Sequence, residues 1–381
     1  MKITRVRTRV VSMPLNGPFH PAWARGRLQE DVLFVLVEIG SDEGIVGICA
    51  AHGGLEASVT IQRFVAPYLM GRDPRFVEQL AQVLRDAEIL GPPVYCVEGA
   101  LWDLLGKAAG LAVAVMWGLH TDRVPVYCAT AEVRPAPQRV DDVIRLREEG
   151  YQAVKLRFHH DDPRDDVKVA QAVRTAVGET MDLIVDANQA GVEPGLGGHH
   201  TWGFRTALWV ARELRDLEAA WLEEPLPRHD FTALRRLREC VPELPIAGGE
   251  DNHGLHEFRT LIEHGCYDIL QPDAVLSEGV AQMRKVAALA EAAGLVVAPH
   301  TWSNGIGLLT NLHFVLTVPN TSFFEFPNEP GSGFTIETRD QMLAEPVRPD
   351  SEGFLHLPER PGLGFELDEE RINRFTVDDR G

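Results

Sequence analysis

The segments Leu183-Ile184-Val185-Asp186-Ala187-Asn188, Trp221-Leu222-Glu223-Glu224-Pro225 and Pro245-Ile246-Ala247-Gly248-Gly249-Glu250-Asp251 each close a short apolar run on a carboxylate. The pattern continues in Asp268-Ile269-Leu270-Gln271-Pro272-Asp273, Leu295-Val296-Val297-Ala298-Pro299-His300 and Ser322-Phe323-Phe324-Glu325. Each run is short and β-prone, and most are followed by a helix-like stretch of roughly 10–18 residues. Repeated strand–helix units build a parallel sheet with helical crossovers. If that sheet closes into a barrel, polar groups at the strand C-termini meet at one mouth. Carboxylates far apart in sequence then share one cavity.

Working outward, the alternation begins at Val124. A strand over Val124–Thr130 is followed by a helix near 136–149, a strand over Ala153–Phe158 and a helix near 163–177. Eight strands are counted up to Glu325. Before them, Val32–Ile39 and Ile45–Ile48 read as antiparallel strands joined by Ser41-Asp42-Glu43-Gly44. A polar and aromatic loop is predicted from Gly17 to Gly26, and residues 55–119 have helical patterning. The predicted fold class is α/β: a modified TIM barrel, (β/α)7β, with an N-terminal α+β capping domain. The expected division is 1–122 for the cap, 123–330 for the barrel, and 331–381 for a C-terminal segment packing back on the cap.

Composition narrows the function classes. The 381 residues are 45% hydrophobic and 24% charged, enough for a large core. The net charge of −19 comes without a basic stripe, which argues against nucleic acid or an anionic membrane as partner. No apolar run approaches membrane-span length. The five cysteines lack CxxC or CxxH spacing and read as reduced thiols of a cytoplasmic protein.

Asp186, Glu223 and Glu250 form an all-oxygen set, which favours Mg²⁺ or Mn²⁺ over Zn²⁺. A single acid at a strand end is as readily a solvating or ion-paired group; three on successive strands weaken that reading. Asp273 and His300 lie one strand–helix unit apart, and a carboxylate accepting an imidazole N–H orients the ring and raises its basicity. Lys155 and Arg157 are two apart on one strand and so share a face. Lysine can serve as a cation or as a base; arginine stays protonated and grips carboxylates. Ion pairs inside the barrel are the plainer alternative for both. His159, His160, His199 and His200 read as loop residues.

These motifs resemble the enolase superfamily, in its mandelate racemase subgroup, over nearly the whole length. The resemblance rests on Glu98–Lys107, Val185–Gln189, Leu222–Pro225, Gly249-Glu250, Gln271–Asp273, Pro299-His300 and Pro361–Gly364. It implies Mg²⁺ held by Asp186, Glu223 and Glu250, and a carboxylate substrate that loses its α-proton to give a metal-stabilised enediolate. His300, paired with Asp273, would be an acid/base. Glu325 would hydrogen-bond the substrate carboxylate, and Asn188 would face the substrate. Homo-oligomers are typical of the family.

One position departs from the family pattern. Where that strand often reads Lys-x-Lys, this chain has Lys155-Leu156-Arg157. A racemase needs a base on each face of the α-carbon, and arginine is a poor one. The reading therefore favours dehydration of a sugar acid, with His300 serving one face twice. A racemase, epimerase or lactone cycloisomerase is the runner-up, and a non-catalytic sugar-acid binding protein the alternative from another class. Specificity is expected from the loop carrying His20, Trp23 and Arg25, and from the Gly-rich loop Gly191–Gly203.

Overall fold

The computed structural model describes residues 1–24, 26–191 and 201–381. Arg25 and the stretch 192–200, which includes His199 and His200, lie outside the described residues.

The N-terminal sheet contains β1 (Ile3–Phe19), β2 (Gln29–Ser41) and β3 (Val46–His52), all antiparallel neighbours. Val35, Leu36, Val37 and Ile39 are fully buried. Each side chain of that size contributes about 1.5–3 kcal/mol on burial. The predicted loop from Gly17 begins later, at His20. Antiparallel pairing resumes at Phe19 opposite Gln29 after an irregularity past Pro14, and this carries β1 through the Gly17-Pro18 pair. The helical region 55–119 is broken into pieces, including Val77–Ala87, Cys96–Ala109 and Val113–Trp117.

Cys96–Ala109 packs tightly on β3. A Cβ on Gly47 would stand 2.1 Å from the Ala100 carbonyl oxygen, so only glycine permits this approach. Asp103 of the same helix is buried and accepts the N–H groups of Ile48 and Leu363, each at 2.8 Å. The helical motif and the Pro361–Gly364 motif are therefore joined by one carboxylate, and that work is structural.

The second layer is a parallel sheet of β4 (Arg123–Ala129), β5 (Ala153–Arg157), β6 (Asp182–Asp186), β7 (Trp221–Glu223), β8 (Ile246–Gly248), β9 (Ile269–Leu270), β10 (Val296–Val297) and β11 (Phe324–Pro327). Each strand pairs with the next from β4 to β10, and β11 pairs with β4. A parallel bridge between Val297 and Thr321, just before β11, closes the ring. One main helix follows each of the first seven strands among the described residues, from Ala136–Glu148 to Gly305–Val315. This is the (β/α)7β order. Tyr127, Ala153, Ile184, Trp221, Ala247 and Ile269 fill the barrel interior. Beyond it, β12 (Phe354–His356) lies antiparallel to β4, and β13 (Thr376–Arg380) pairs with β1.

Candidate active site

Strand alternation turns Lys155 and Arg157 to the inside of the barrel, where both are buried. In Cα register Arg157 stands opposite Asp186, and Asp186 opposite Glu223. Glu250 lies two residues past β8. One carboxylate oxygen from each of Asp186, Glu223 and Glu250 falls within 4.8 Å of the others. Facing ligands of a Mg²⁺ ion stand ~4 Å apart, so these hard donors suit one such ion with small side-chain adjustment. A second acidic set, Glu224, Glu250 and Asp251, shares Glu250, but Asp251 already pairs with Arg228 at 3.2 Å.

Lys155 lies beneath this cluster. Its Nζ is 2.9 Å from Glu223 Oε1, 3.6 Å from Asp186 Oδ2 and 2.5 Å from Glu325 Oε1. Trp221 Nε1 donates to the other Glu223 oxygen at 3.2 Å. Burial disfavours the Glu223 charge, but Lys155 and then Arg157 overcome it and hold the group below the usual carboxylate range. For Asp186, burial and then the Glu223 charge win, and its pKa is raised. Burial also raises Glu250.

Arg157 is anchored through Nε and Nη1. Nε donates to the Thr130 carbonyl at 2.7 Å, and Nη1 donates to Asn188 Oδ1 at 3.1 Å and to Asp186 Oδ2. The guanidinium lies over the Trp23 ring at 5.0 Å and the Trp302 ring at 5.5 Å. Asn188 has φ 45° and Glu224 φ 46°. Left-handed backbone is uncommon outside glycine and concentrates at working sites. At Asn188 the fold is held by its N–H donating to Asp186 Oδ1 at 2.7 Å.

His300 follows β10 and is buried beside Glu250, with 3.8 Å between Nε2 and Oε2. Its Nδ1 is 3.0 Å from Asp273 Oδ2. Asp273 Oδ1 accepts from Asn311 Nδ2 at 3.0 Å and from the Val275 N–H at 2.8 Å, which fixes the carboxylate. Burial works against a charged ring, yet Glu250, Glu325 and Asp273 together raise the His300 pKa to about 10. Glu325 lies fully buried, accepting the Thr301 N–H at 2.8 Å besides pairing with Lys155.

Above these groups lies a cavity of about 870 Å³, walled by the barrel mouth and by the N-terminal sheet and its connections. Arg157, Asn188, Glu250, His300 and Trp23 line it. Lys155, Asp186, Glu223, Asp273 and Glu325 stand behind that wall. His20 is not brought to it: the side chain is exposed, and the backbone N–H donates to Glu132 Oε1 at 3.1 Å. Several wall residues escaped the sequence reading. Trp302 stacks on Phe334 at 4.8 Å and meets Trp23 edge-on at the same separation. Glu224 was hidden by its neighbour Glu223. His52, at the end of β3, and Arg27, in the connection before β2, come from the N-terminal domain.

Comparisons with known proteins identify the family. Residues 3–118 match the mandelate racemase / muconate lactonizing enzyme N-terminal domain, and residues 138–371 match the enolase C-terminal domain-like family. The chain is 30% identical over 394 aligned residues to D-galactarolactone cycloisomerase of Agrobacterium fabrum, covering 100% of both proteins. Among solved structures it resembles a racemase from Streptomyces coelicolor with bound magnesium (TM-score 0.85, 26% identity, 98% of this chain and 100% of that one). It also resembles L-talarate/galactarate dehydratase from Salmonella typhimurium liganded with Mg and L-lyxarohydroxamate (TM-score 0.84, 26% identity, 100% and 94%). The chain belongs to the mandelate racemase / muconate lactonizing enzyme family of the enolase superfamily.

Proposed function

We propose that the protein is a Mg²⁺-dependent acid-sugar dehydratase that converts a 2,3-dihydroxy carboxylate into its 2-keto-3-deoxy acid. The observation that carries this reading is the engagement of Arg157. Its Nε and Nη1 donate to Thr130, Asn188 and Asp186, and the indoles of Trp23 and Trp302 pack against it. A guanidinium held this way stays protonated and accepts no proton. Lys155, surrounded by Glu223, Asp186 and Glu325, is likewise held as an ammonium. One face of the site then carries cations only, and the base stands on the other.

Asp186, Glu223 and Glu250 would hold the ion. Mg²⁺, or Mn²⁺ in its place, would supply positive charge against the dianion that forms when a carboxylate loses its α-proton. Mg²⁺ on Glu250 would offset the strongest charge that holds the His300 ring protonated, and His300, oriented by Asp273, would then take that proton from one face. The same imidazolium then gives its proton to the departing 3-hydroxyl, which leaves as water, and the enol product tautomerises to the keto acid. Lys155 and Arg157 stabilise the developing negative charge from the opposite side, where exclusion of water strengthens them. Asn188 and Trp23 contact the bound acid, whereas Glu325, assigned to the substrate carboxylate by the resemblance, is buried on Lys155 and the Thr301 N–H and holds Lys155 in place.

A lactone cycloisomerase is the second reading. The full-length similarity to a cycloisomerase favours it, and that reaction also needs only one effective base. Turnover of a sugar-acid panel with Mg²⁺, followed by semicarbazide detection of 2-keto acid, separates the two. Keto acid from at least one member supports dehydration. Lactone consumption without keto acid would replace it with cycloisomerisation. The five unpaired cysteines suit the reducing cytoplasm proposed as its location.

A further inference from the structure

The N-terminal side of the cavity carries a titratable ring that the proposed chemistry leaves unused. His52 is the last residue of β3 and lines the cavity together with His300. Its ring rests on Phe34, its partner in the β2–β3 register, with centroids 5.1 Å apart and planes inclined by 37°. The Trp302 carbonyl hydrogen-bonds the ring across the domain boundary. One side of the imidazole is thus packed and tethered, while the residue stays accessible from the cavity.

This ring is neutral. Crowding by neighbouring atoms is the largest influence and lowers its pKa to about 4; the Trp302 carbonyl opposes that shift and the His300 charge adds to it. His52 is therefore a poor acid for a departing hydroxyl, and that task stays with His300. With its single N–H given to the Trp302 carbonyl, a neutral imidazole keeps its other nitrogen as an acceptor for a sugar hydroxyl.

The direction of the substrate chain follows from the walls. Asp186, Glu223, Lys155 and Glu325 are fully buried and close the barrel side. An acid anchored there by its carboxylate can extend only toward the N-terminal domain. Its C2 and C3 lie at His300, so the following carbons pass the residues beside His300 on that wall. Phe19, Trp23, Trp302 and Phe334 present ring faces there. Such faces suit C–H groups, whereas His52 suits a hydroxyl.

We propose that His52 is a specificity residue of this site, hydrogen-bonding a substrate hydroxyl beyond the 3-position and so selecting polyhydroxylated acids of at least four carbons. The proposal rests on the sugar-acid reading given above. It is tested by calorimetric titration of the Mg²⁺-loaded protein with glycolohydroxamate, which ends at the reaction centre, and with five- and six-carbon polyhydroxy hydroxamates, L-lyxarohydroxamate among them. The variants are His52→Phe, which keeps an aromatic ring on Phe34 but deletes both nitrogens, and His52→Gln, which keeps hydrogen-bonding capacity. His52→Phe should weaken the tightest long hydroxamate about tenfold, the loss of one neutral hydrogen bond, and leave glycolohydroxamate unchanged. His52→Gln should recover part of that loss. Equal weakening of both classes in His52→Phe, an unweakened long ligand, or a wild type that binds no long hydroxamate more tightly than glycolohydroxamate would overturn the assignment. A wild type that binds neither class with Mg²⁺ would instead sink the sugar-acid reading, and His52's role with it.

Discussion

Arg157→Lys is the substitution that probes the site most informatively. Lysine cannot reproduce the fork that reaches Thr130, Asn188 and Asp186 together. A single ammonium at the end of a shorter stem keeps the contact to Asp186 at best. The Thr130 carbonyl and Asn188 Oδ1 then each lose a hydrogen bond to a charged group, worth about 1.5–3 kcal/mol apiece. Contacts with Trp23 and Trp302 weaken as well, by about 0.5–1 kcal/mol. Relaxation and water entry recover part of this, so the expected net loss is about 3 kcal/mol, read as a lower urea midpoint with unchanged slope. The dehydration rate should fall about 100-fold, the usual penalty for misplacing a reacting substrate by ~1 Å. A lysine amine facing the α-carbon also gives the second face a titratable base. The variant should therefore gain deuterium exchange that scrambles C2 in D₂O, which the wild type should lack. A variant with wild-type stability and rate, and no new exchange, would refute the account of Arg157 as a fixed, anchored cation.

Three further outcomes follow from the geometry. Glu223→Gln removes one anionic donor of the three-carboxylate set, and calorimetry should find Mg²⁺ affinity reduced at least tenfold; unchanged binding would displace Glu223 from the ligand set. His300→Asn should abolish both turnover and exchange of the substrate α-proton, and retained exchange would put the base elsewhere. His313 Nδ1 accepts the Ala114 N–H at 3.2 Å, and burial lowers its pKa to about 4, against the Leu363 carbonyl. The unfolded chain, with a pKa near 6.5, therefore takes up the proton first as pH falls. This contribution to stability is complete above pH ~6.5 and is lost between pH ~6.5 and 4, by up to about 3 kcal/mol. His313→Gln should flatten that window in urea titrations, and an unchanged pH dependence would contradict it.

Much of the barrel was legible because its chemistry follows local rules. A carboxylate after three or four apolar residues marks a strand C-terminus, and period-two alternation puts Lys155 and Arg157 on one face. Those rules located Asp186, Glu223, Glu250, Asp273 and His300 without any contact information. The walls were harder, because they form where two domains meet. His52 ends a strand in the N-terminal sheet, and its closeness to His300 depends on packing over 248 positions of sequence separation, taken as 300 − 52. Trp302 reads as an ordinary loop residue until Trp23 and Phe334 converge on it. His20 looked like a partner of Trp23, but with β1 running to Phe19 it emerges on the outside while Trp23 turns in. Even the Glu98–Lys107 motif divides: Asp103 holds Leu363 and Ile48, and none of its atoms faces the cavity.

The central claim is that proton chemistry here is one-sided, with His300 on one face and only cations on the other. The most direct measurement is NMR in D₂O of the wild-type enzyme with Mg²⁺ and each C2 epimer of a sugar acid that it turns over. The account predicts that one epimer forms the 2-keto-3-deoxy acid with solvent deuterium at C3, while the other neither reacts nor appears from the first. Interconversion of the two epimers without 2-keto acid would contradict it, because inversion at C2 demands a working base on the face occupied by Lys155 and Arg157.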